Sequence, residues 1–185
     1  PCAAQFSTPI SSTFVHKLRA THDAIMVGSN TIIKDNPTLN CRLWNGNSPQ
    51  KIILDRKGLV PSFANVFTSN PEYTLYFTAK ERNDITNIVN QTIINESTSL
   101  HTVMSILYQR GITSVLIEGG TDLLQNALDN NLWDIARVET APFSLGQKGE
   151  KKAPKITHSP STSIYIDQNQ VDFYTNNNLV RVKNS

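Results

Sequence analysis

The sequence predicts an α/β protein of three layers, in which helices cover both faces of a mixed, mostly parallel sheet. Short apolar segments without polar alternation recur over residues 24–117, as in strands that are buried on both faces. Amphipathic segments separate them, as in units of strand, helix and strand. Residues 163–182 instead hold short runs divided by turn residues, which indicates antiparallel hairpin strands at the end of the chain.

The first predicted helix begins at Thr8 and Pro9 and ends near Ala20. Threonine is a good N-cap residue, and proline suits the first helical position because its missing N–H has no partner there anyway. A strand over residues 24–27 follows. Small polar residues come next, which indicates a junction from strand to helix before the turn at residues 35–37.

The middle of the chain repeats the same units. Three further strands are predicted, at residues 51–54, 74–77 and 90–94. Ser97 or Ser99 is expected to cap the next helix, which ends at the basic residue Arg110 and at Gly111. Another strand is predicted over residues 135–140, and the glycines and lysines of residues 144–155 indicate a solvated loop.

A strand at residues 114–117 leads, after one carboxylate, into the pair Gly119 and Gly120. An amphipathic helix follows, with Thr121 or Asp122 placed to cap it. Residues without a Cβ let a ligand approach the backbone, and free N–H groups at a helix N-terminus attract an anion. The pair is therefore either a cradle for a nucleotide or cofactor phosphate, or a tight turn that needs glycine for packing.

The composition of the 185 residues is that of an ordinary globular protein. A net charge of +2 is too small to indicate a nucleic-acid partner. No run reaches the length of roughly 18 apolar residues that marks a membrane span, and no export signal opens the sequence. The four histidines show no metal-ligand spacing, so no metal is expected, and two cysteines are typical of a reducing cytosol.

Ligands of open α/β sheets bind beyond the carboxyl ends of the parallel strands. This rule groups four separate segments into one predicted site, at residues 28–35, 55–56, 78–80 and 118–122. Arg19, at the end of the first helix, is either a surface arginine or a clamp for a phosphate or carboxylate. Alone, Arg42 is an ordinary loop arginine and Asp35 a turn former.

Several blocks of sequence resemble the reductase domain of riboflavin biosynthesis. They are HKLRA at residues 16–20, HDAIMVGSNT at residues 22–31, DNPTL at residues 35–39 with Arg42 after it, and LIEGG at residues 116–120. The resemblance extends over about residues 8–155. Bacteria usually fuse this domain behind a pyrimidine deaminase, and its fold is similar to dihydrofolate reductase. The resemblance therefore implies a dihydrofolate reductase-like α/β/α fold and a homodimeric, cytoplasmic enzyme.

The implied activity is reduction of 5-amino-6-(5-phosphoribosylamino)uracil to its ribityl form by NADPH. Carried over by position, the residues facing the substrate are Arg19, Leu39, Arg42 and Glu118. Those facing the cofactor are Thr31, Asp35, Gly119, Gly120, Thr121, Asp122 and Leu123. From the residues themselves we add Arg56 as the cation for the 2′-phosphate of NADPH, with Lys57 and Lys80 as further candidates. No side chain is identified as the proton donor, so water is expected to serve.

Members of this family begin with a further strand ahead of the first helix, and no counterpart of that strand precedes Thr8. We therefore expect residues 1–185 to form a single reductase domain without it. Two other functions stay open: a dihydrofolate reductase-like enzyme that reduces a pterin, and a non-catalytic module that binds nucleotides. The paired arginines Arg19 and Arg42 favour a phosphorylated substrate over a pterin.

Overall fold

The computed structural model describes residues 7–143 and 152–177, in which strands alternate with helices. The helices are α1 (Pro9–Thr21), α2 (Ser29–Asp35), α3 (Asn65–Thr68), α4 (Leu100–Gln109) and α5 (Thr121–Asp129), with a 3₁₀ turn at Pro71–Tyr73. The strands are β1 (Ala24–Gly28), β2 (Gln50–Leu54), β3 (Thr74–Thr78), β4 (Asn90–Ile93), β5 (Val115–Gly119), β6 (Ile135–Thr140), β7 (Thr162–Ile166) and β8 (Asn169–Thr175). The strand predicted over residues 179–182 and most of the loop predicted over residues 144–155 lie outside the described residues.

Five parallel strands form the larger sheet, in the order β4-β3-β2-β1-β5. The antiparallel strands form a sheet of their own, in the order β6-β8-β7. The predicted α/β class, with parallel strands first and antiparallel hairpin strands last, is confirmed. The sequence did not reveal the division into two sheets, because alternation and turn residues identify strands but not their partners across a sheet edge.

Apolar side chains on both faces of the larger sheet account for its three layers. Alternate strand residues such as Met26 and Ile52 pack against α4 and α5. Their neighbours in the chain, including Val27 and Ile53, pack on the other face against α2 and α3. Because side chains alternate between faces with a period of two, a strand covered on both sides must be apolar throughout.

Capping explains where the predicted helices begin. Thr8 Oγ1 accepts a hydrogen bond from Ser11 N (3.2 Å), with Pro9 at the first helical position of α1. Ser99, rather than Ser97, caps α4 and accepts from Thr102 N at 3.1 Å. The expected cap of α5 is wrong: Thr121 and Asp122 already lie inside the helix, and its N-cap is Gly120, which has no side chain to accept a hydrogen bond.

Polar contacts connect the residue before β1 to the residues before β5, and connect α1 to the smaller sheet. The Asp23 carboxylate accepts from Thr113 N (2.8 Å), Thr113 Oγ1 (2.8 Å) and Ser114 N (2.9 Å) ahead of β5, and these hydrogen bonds lower its pKa to about 2. Ser11 Oγ donates to Glu139 Oε1 on β6 at 2.6 Å. Helix α1 therefore contacts both sheets. Within the described ranges, no helix has the length and apolar character of a membrane span.

Candidate active site

The carboxyl ends of the parallel strands lie along one edge of the larger sheet and carry most of the predicted site. At this edge β1 leads into α2, and β5 leads into Gly120 and α5. Helix α1 joins the site because His16 and Arg19 line its cavity and Arg19 pairs with Glu118 of β5. The site is therefore built from α1, α2, the segment after α2 and the junction between β5 and α5.

Arg19 and Glu118 form an ion pair in this region, although they lie 99 positions apart. Arg19 Nε donates to Glu118 Oε1 at 2.8 Å and Arg19 Nη2 to Oε2 at 2.6 Å, so the pair is bidentate. The side chains are only 13% and 19% exposed. A paired geometry of this kind resists screening better than a surface ion pair. The structure thus brings two of the predicted substrate residues together.

Arg19 also faces a cavity of about 400 Å³. Arg42, Leu39 and Asp35 line the same cavity, together with His16 and Thr38. Arg42 is exposed, and its Nη1 lies 3.4 Å from Asn40 Oδ1. The cavity therefore contains one arginine that is already paired with a carboxylate and a second one that faces solvent.

Leu39 has a structural part in this arrangement. Its side chain is buried in the core between the larger sheet and α2, and its backbone is left-handed, with φ at +54°. A left-handed backbone is unfavourable for a residue with a Cβ, by about 1–2 kcal/mol. The burial of the side chain compensates for that cost, and the resulting bend turns residues 40–42 back onto α1.

The junction between β5 and α5 is open toward its surroundings. The Gly119–Gly120 peptide bond is cis. A Cβ built on Gly119 would lie 3.3 Å from Thr31 Oγ1, which is a tight contact. A Cβ built on Gly120 would meet only the same oxygen, at an ordinary 3.5 Å, and the residue has φ −77°. Packing among the described residues therefore does not require glycine at position 120, which favours the ligand interpretation of this pair.

Helix α2 links this junction to the arginine cavity. Thr31 contacts the two glycines, and Asp35, four positions later, lines the cavity. Residues four apart lie on one face of a helix. Since Glu118 immediately precedes Gly119, the predicted substrate and cofactor residues are neighbours in the structure as well.

Arg56 lies at a second cavity, of about 320 Å³, together with Ser97, Ser99 and His101 near the start of α4, and with Asn126 of α5 and Asn130 just after it. Arg56 Nη2 donates to Thr98 O at 2.8 Å, while its buried Nε has no hydrogen-bond partner among the described residues. Lys57 and Lys80, the other cations considered for this role, are exposed and do not line the cavity. Of the three, only Arg56 is thus placed beside the helix that begins at Gly120.

Sequence reasoning missed His16, which lines the arginine cavity and is 5% exposed. Its Nδ1 accepts from Arg42 N at 3.0 Å. Burial and the charges of Arg19 and Arg42 lower the pKa of His16, against the opposing effect of Glu118. A signal was present in the sequence, because position 16 precedes Arg19 by three residues and so shares its helix face. Among the described residues no cluster of His, Cys, Asp or Glu has the arrangement of a metal site.

Comparison with known proteins finds relatives of this chain. Residues 3–172 match the family model of the RibD C-terminal domain. The chain is 34% identical over 136 residues to the riboflavin biosynthesis protein RibD of Bacillus amyloliquefaciens, covering 69% of this chain and 37% of that protein. It is 29% identical over 174 residues to the 2,5-diamino-6-ribosylamino-4(3H)-pyrimidinone 5′-phosphate reductase of Aquifex aeolicus, covering 85% and 78%.

A solved structure extends the agreement to the fold. The diaminohydroxyphosphoribosylaminopyrimidine deaminase/5-amino-6-(5-phosphoribosylamino)uracil reductase of Thermotoga maritima superposes with a TM-score of 0.75 at 27% identity, over 90% of this chain and 48% of that one. The chain thus spans 48% of the Thermotoga protein and 37% of the Bacillus protein, but 78% of the Aquifex reductase. The dihydrofolate reductase-like fold and the resemblance first seen in the sequence blocks are confirmed, and the chain belongs to the RibD C-terminal domain family.

Proposed function

We propose that the protein reduces the ribosyl group of 5-amino-6-(5-phosphoribosylamino)uracil to a ribityl group, with NADPH as the reductant. One observation carries this proposal. Helix α2 places Thr31 at the Gly119–Gly120 junction and Asp35 in the cavity with Arg19 and Arg42. A site for a phosphorylated substrate therefore adjoins a site for a dinucleotide. The Thermotoga relative is named for reduction of this uracil, and the Aquifex relative for reduction of the related 2,5-diamino-6-ribosylamino-4(3H)-pyrimidinone 5′-phosphate.

The arginine cavity suits the phosphate of the substrate. Glu118 pairs with Arg19, and although the carboxylate of Asp35 lines the same cavity, Arg42 is the arginine there whose guanidinium faces solvent. An exposed guanidinium offers planar, bidentate hydrogen bonds to a phosphate at little desolvation cost. Arg19 keeps N–H groups that neither Glu118 nor Asn40 O engages. Both arginines are therefore able to donate to one anion. The positive charge of Arg42 compensates the negative charge of that anion.

We propose that the cofactor binds beside Thr31, toward the start of α2, whereas the substrate cavity lies at Asp35, near the end of that helix. Among the described residues no side chain caps α5, so we propose that a pyrophosphate binds at its N-terminus beside Gly120, where Leu123 N already donates to Gly120 O. Thr121, Asp122 and Leu123 form this first turn, and Thr31 flanks it. Arg56 lies further along, at the cavity that Asn126 and Asn130 also line, where we propose that it binds the 2′-phosphate.

When bound, the cofactor supplies a hydride to C1′ of the ring-opened ribose, present as aldehyde or imine. Residues of the chain hold the substrate by its phosphate, orient C1′ toward the junction at Gly119, and exclude water from the contact. The proton that completes the reduction comes from water in this proposal, since none of the residues proposed to bind the substrate is assigned as its donor. Arg19 and Glu118 position the substrate as a unit because each fixes the other.

Several properties of the whole protein belong to the same proposal. We propose that residues 1–185 form one reductase domain, that two copies pair as a homodimer, and that the protein works in the cytoplasm, where the free thiol of Cys41 stays reduced. A deaminase, fused or separate, would supply the substrate, because the Thermotoga relative is named for both activities. Sedimentation of the purified protein tests the pairing.

Titration with NADPH tests the reaction itself. Enhanced nicotinamide fluorescence on binding, followed by loss of NADPH absorbance when the ribosylamino-pyrimidine phosphate is added, is the expected result. Mass spectrometry should identify the ribityl product. Oxidation of NADPH by dihydropterin alone would support the dihydrofolate reductase-like alternative. Binding of NADPH without oxidation by either substrate would indicate a non-catalytic nucleotide-binding module.

A further inference from the structure

The side chain of Arg42 has little to hold it in place. It is exposed, and its one hydrogen bond within the described structure is the 3.4 Å contact with Asn40 Oδ1. A long side chain of this kind samples many rotamers in solution. Where its guanidinium points is therefore decided mainly by the position of the Arg42 backbone.

Helix α1 holds that backbone through three hydrogen bonds to consecutive residues. Arg19 Nη1 donates to Asn40 O at 3.0 Å, and Cys41 Sγ donates to His16 O at 3.3 Å. Arg42 N donates to His16 Nδ1 at 3.0 Å. The last of these bonds is the one that acts on Arg42 directly, and His16 provides it with a side chain that is almost fully buried.

The hydrogen bond also determines the state of the imidazole. A backbone N–H only donates, so Nδ1 must present a lone pair and Nε2 must carry the proton of a neutral ring. Burial, Arg19 and Arg42 lower the pKa of His16, while Glu118 acts in the opposite direction. The ring is thus neutral around pH 7, as the contact with Arg42 N requires.

We propose that His16 is a positioning residue for the phosphate-binding arginine: through Nδ1 it fixes the backbone of Arg42, so that the guanidinium stays at the cavity beside Arg19. The inference rests on the proposed function, in which Arg42 binds the substrate phosphate. It assigns to His16 a part in substrate binding that does not require His16 to contact the substrate.

The test uses two substitutions that mimic different halves of the imidazole. In H16N the amide oxygen takes the place of Nδ1 and still accepts from Arg42 N, whereas in H16Q the amide lies near the former Nε2. H16L removes both groups. Loss of one hydrogen bond predicts a KM for the phosphorylated substrate about fivefold to tenfold higher in H16Q and H16L, and within about twofold of the native value in H16N.

Two controls separate positioning from general damage. NADPH affinity should be unchanged in all three variants, and H22N, which replaces another histidine at the end of the same helix, should leave KM unchanged. Hydrogen exchange of the Arg42 amide, measured by NMR without substrate, should be protected in the native protein and in H16N but fast in H16Q. If H16L does not fold, the comparison of H16N with H16Q still decides whether His16 positions Arg42.

Equal KM values in H16N and H16Q, or an Arg42 amide equally protected in both, would overturn the role of His16. A native protein that fails to reduce the substrate would instead contradict the proposed function, and the amide measurement would still decide whether His16 holds Arg42. The two failures are therefore distinguishable.

Discussion

At the scale of single residues, the two arginines of the cavity differ in what surrounds them. Arg19 is mostly buried, and Glu118 satisfies it in a bidentate pair. Arg42 faces solvent. Removing Arg19 would therefore leave a half-buried carboxylate without its partner, which is a large penalty in its own right. Removing Arg42 takes away a charge and little else, so position 42 is the cleaner test of phosphate binding.

We expect R42A to raise the KM for the ribosylamino-pyrimidine phosphate by about ten- to a hundredfold, since a charged hydrogen bond contributes roughly 1.5–3 kcal/mol. Steady-state kinetics measure this effect. The thermal midpoint and the NADPH affinity should stay at native values, because Arg42 supports no other part of the fold. R42K should recover part of the loss, since lysine keeps the charge but not the planar fork.

R19A provides the comparison. It should raise the same KM and also lower the thermal midpoint, because Glu118 loses both of its guanidinium hydrogen bonds. A KM that stays native in both R42A and R19A would remove the physical argument for a phosphorylated substrate.

Selectivity between cofactors is expected to depend on Arg56. R56A should weaken NADPH binding and leave NADH binding unchanged, since only NADPH carries the 2′-phosphate. Isothermal titration with each cofactor measures the difference. K80A is the matched control: Lys80 is an exposed cation that follows β3 and does not line the Arg56 cavity. Equal losses for both cofactors in R56A would argue that Arg56 supports the fold rather than selectivity.

At the scale of elements, the start of a helix can be predicted from the sequence where the capping residue lies within a few residues of that start. Thr8 with Pro9 and Ser99 predict α1 and α4 for this reason. Helix α3 spans only Asn65–Thr68, which is too short to show helical periodicity, and it was not predicted. The cap of α5 was misplaced because Thr121 has the right side chain but lies one position inside the helix.

The junction before α5 gives a prediction for this element. G120V should weaken NADPH binding about tenfold or more, because the added side chain occupies the approach of the pyrophosphate to the backbone. The fold should survive, since the new Cβ meets only Thr31 Oγ1 at an ordinary distance and φ is −77°. Calorimetric titration and a thermal melt together measure both effects. Native affinity in a folded G120V protein would show that the pyrophosphate binds elsewhere.

The candidate site could be predicted only in part, because residues that meet in it lie far apart in the sequence. The sequence grouped Asp35, Arg56 and Gly119 through the rule that ligands bind at the carboxyl ends of parallel strands, whereas Arg42 was assigned only through the family resemblance. It gave no means to pair Arg19 with Glu118, because the two are separated by 99 positions and no local pattern links them. His16 was overlooked because residue identity does not reveal a partner that is a backbone N–H; the available signal was its position three residues before Arg19 on the same helix face.

At the scale of the whole molecule, α1 is the element on which the site depends from both sides. One end of the helix holds Arg19 against Glu118 of β5. The other end holds Ser11 against Glu139 of β6, and so connects the smaller sheet. Arg137 of β6 adds a contact over the ring of Phe14, with 5.1 Å between Cζ and the ring centroid. The position of the substrate cavity therefore depends on how α1 is docked between the two sheets.

Glu139 is the centre of that docking. Its Oε1 accepts from Ser11 Oγ and from Asn169 Nδ2, both at 2.6 Å, and its Oε2 accepts from Arg137 Nη2 at 3.0 Å. Burial disfavours the charged carboxylate, yet these hydrogen bonds outweigh it and hold the pKa of Glu139 below its ordinary value. Since the pKa of Glu139 is lower in the folded protein than in the unfolded chain, its carboxylate stabilises the fold at pH values above the unfolded pKa. That contribution is lost as the pH falls through the folded pKa.

We therefore expect E139A to lower the free energy of unfolding by about 3 kcal/mol, because three donors lose their acceptor in a half-buried site. Urea denaturation at neutral pH measures the loss. The variant should also lose less stability than the native protein on acidification, since it lacks the carboxylate that titrates. D84A is the matched control: it breaks the ion pair with Arg82, but Asp84 is 49% exposed and little change is expected. An E139A protein as stable as D84A would show that the hydrogen bonds of Glu139 do not dock α1, and that the position of Arg19 and His16 does not depend on the smaller sheet.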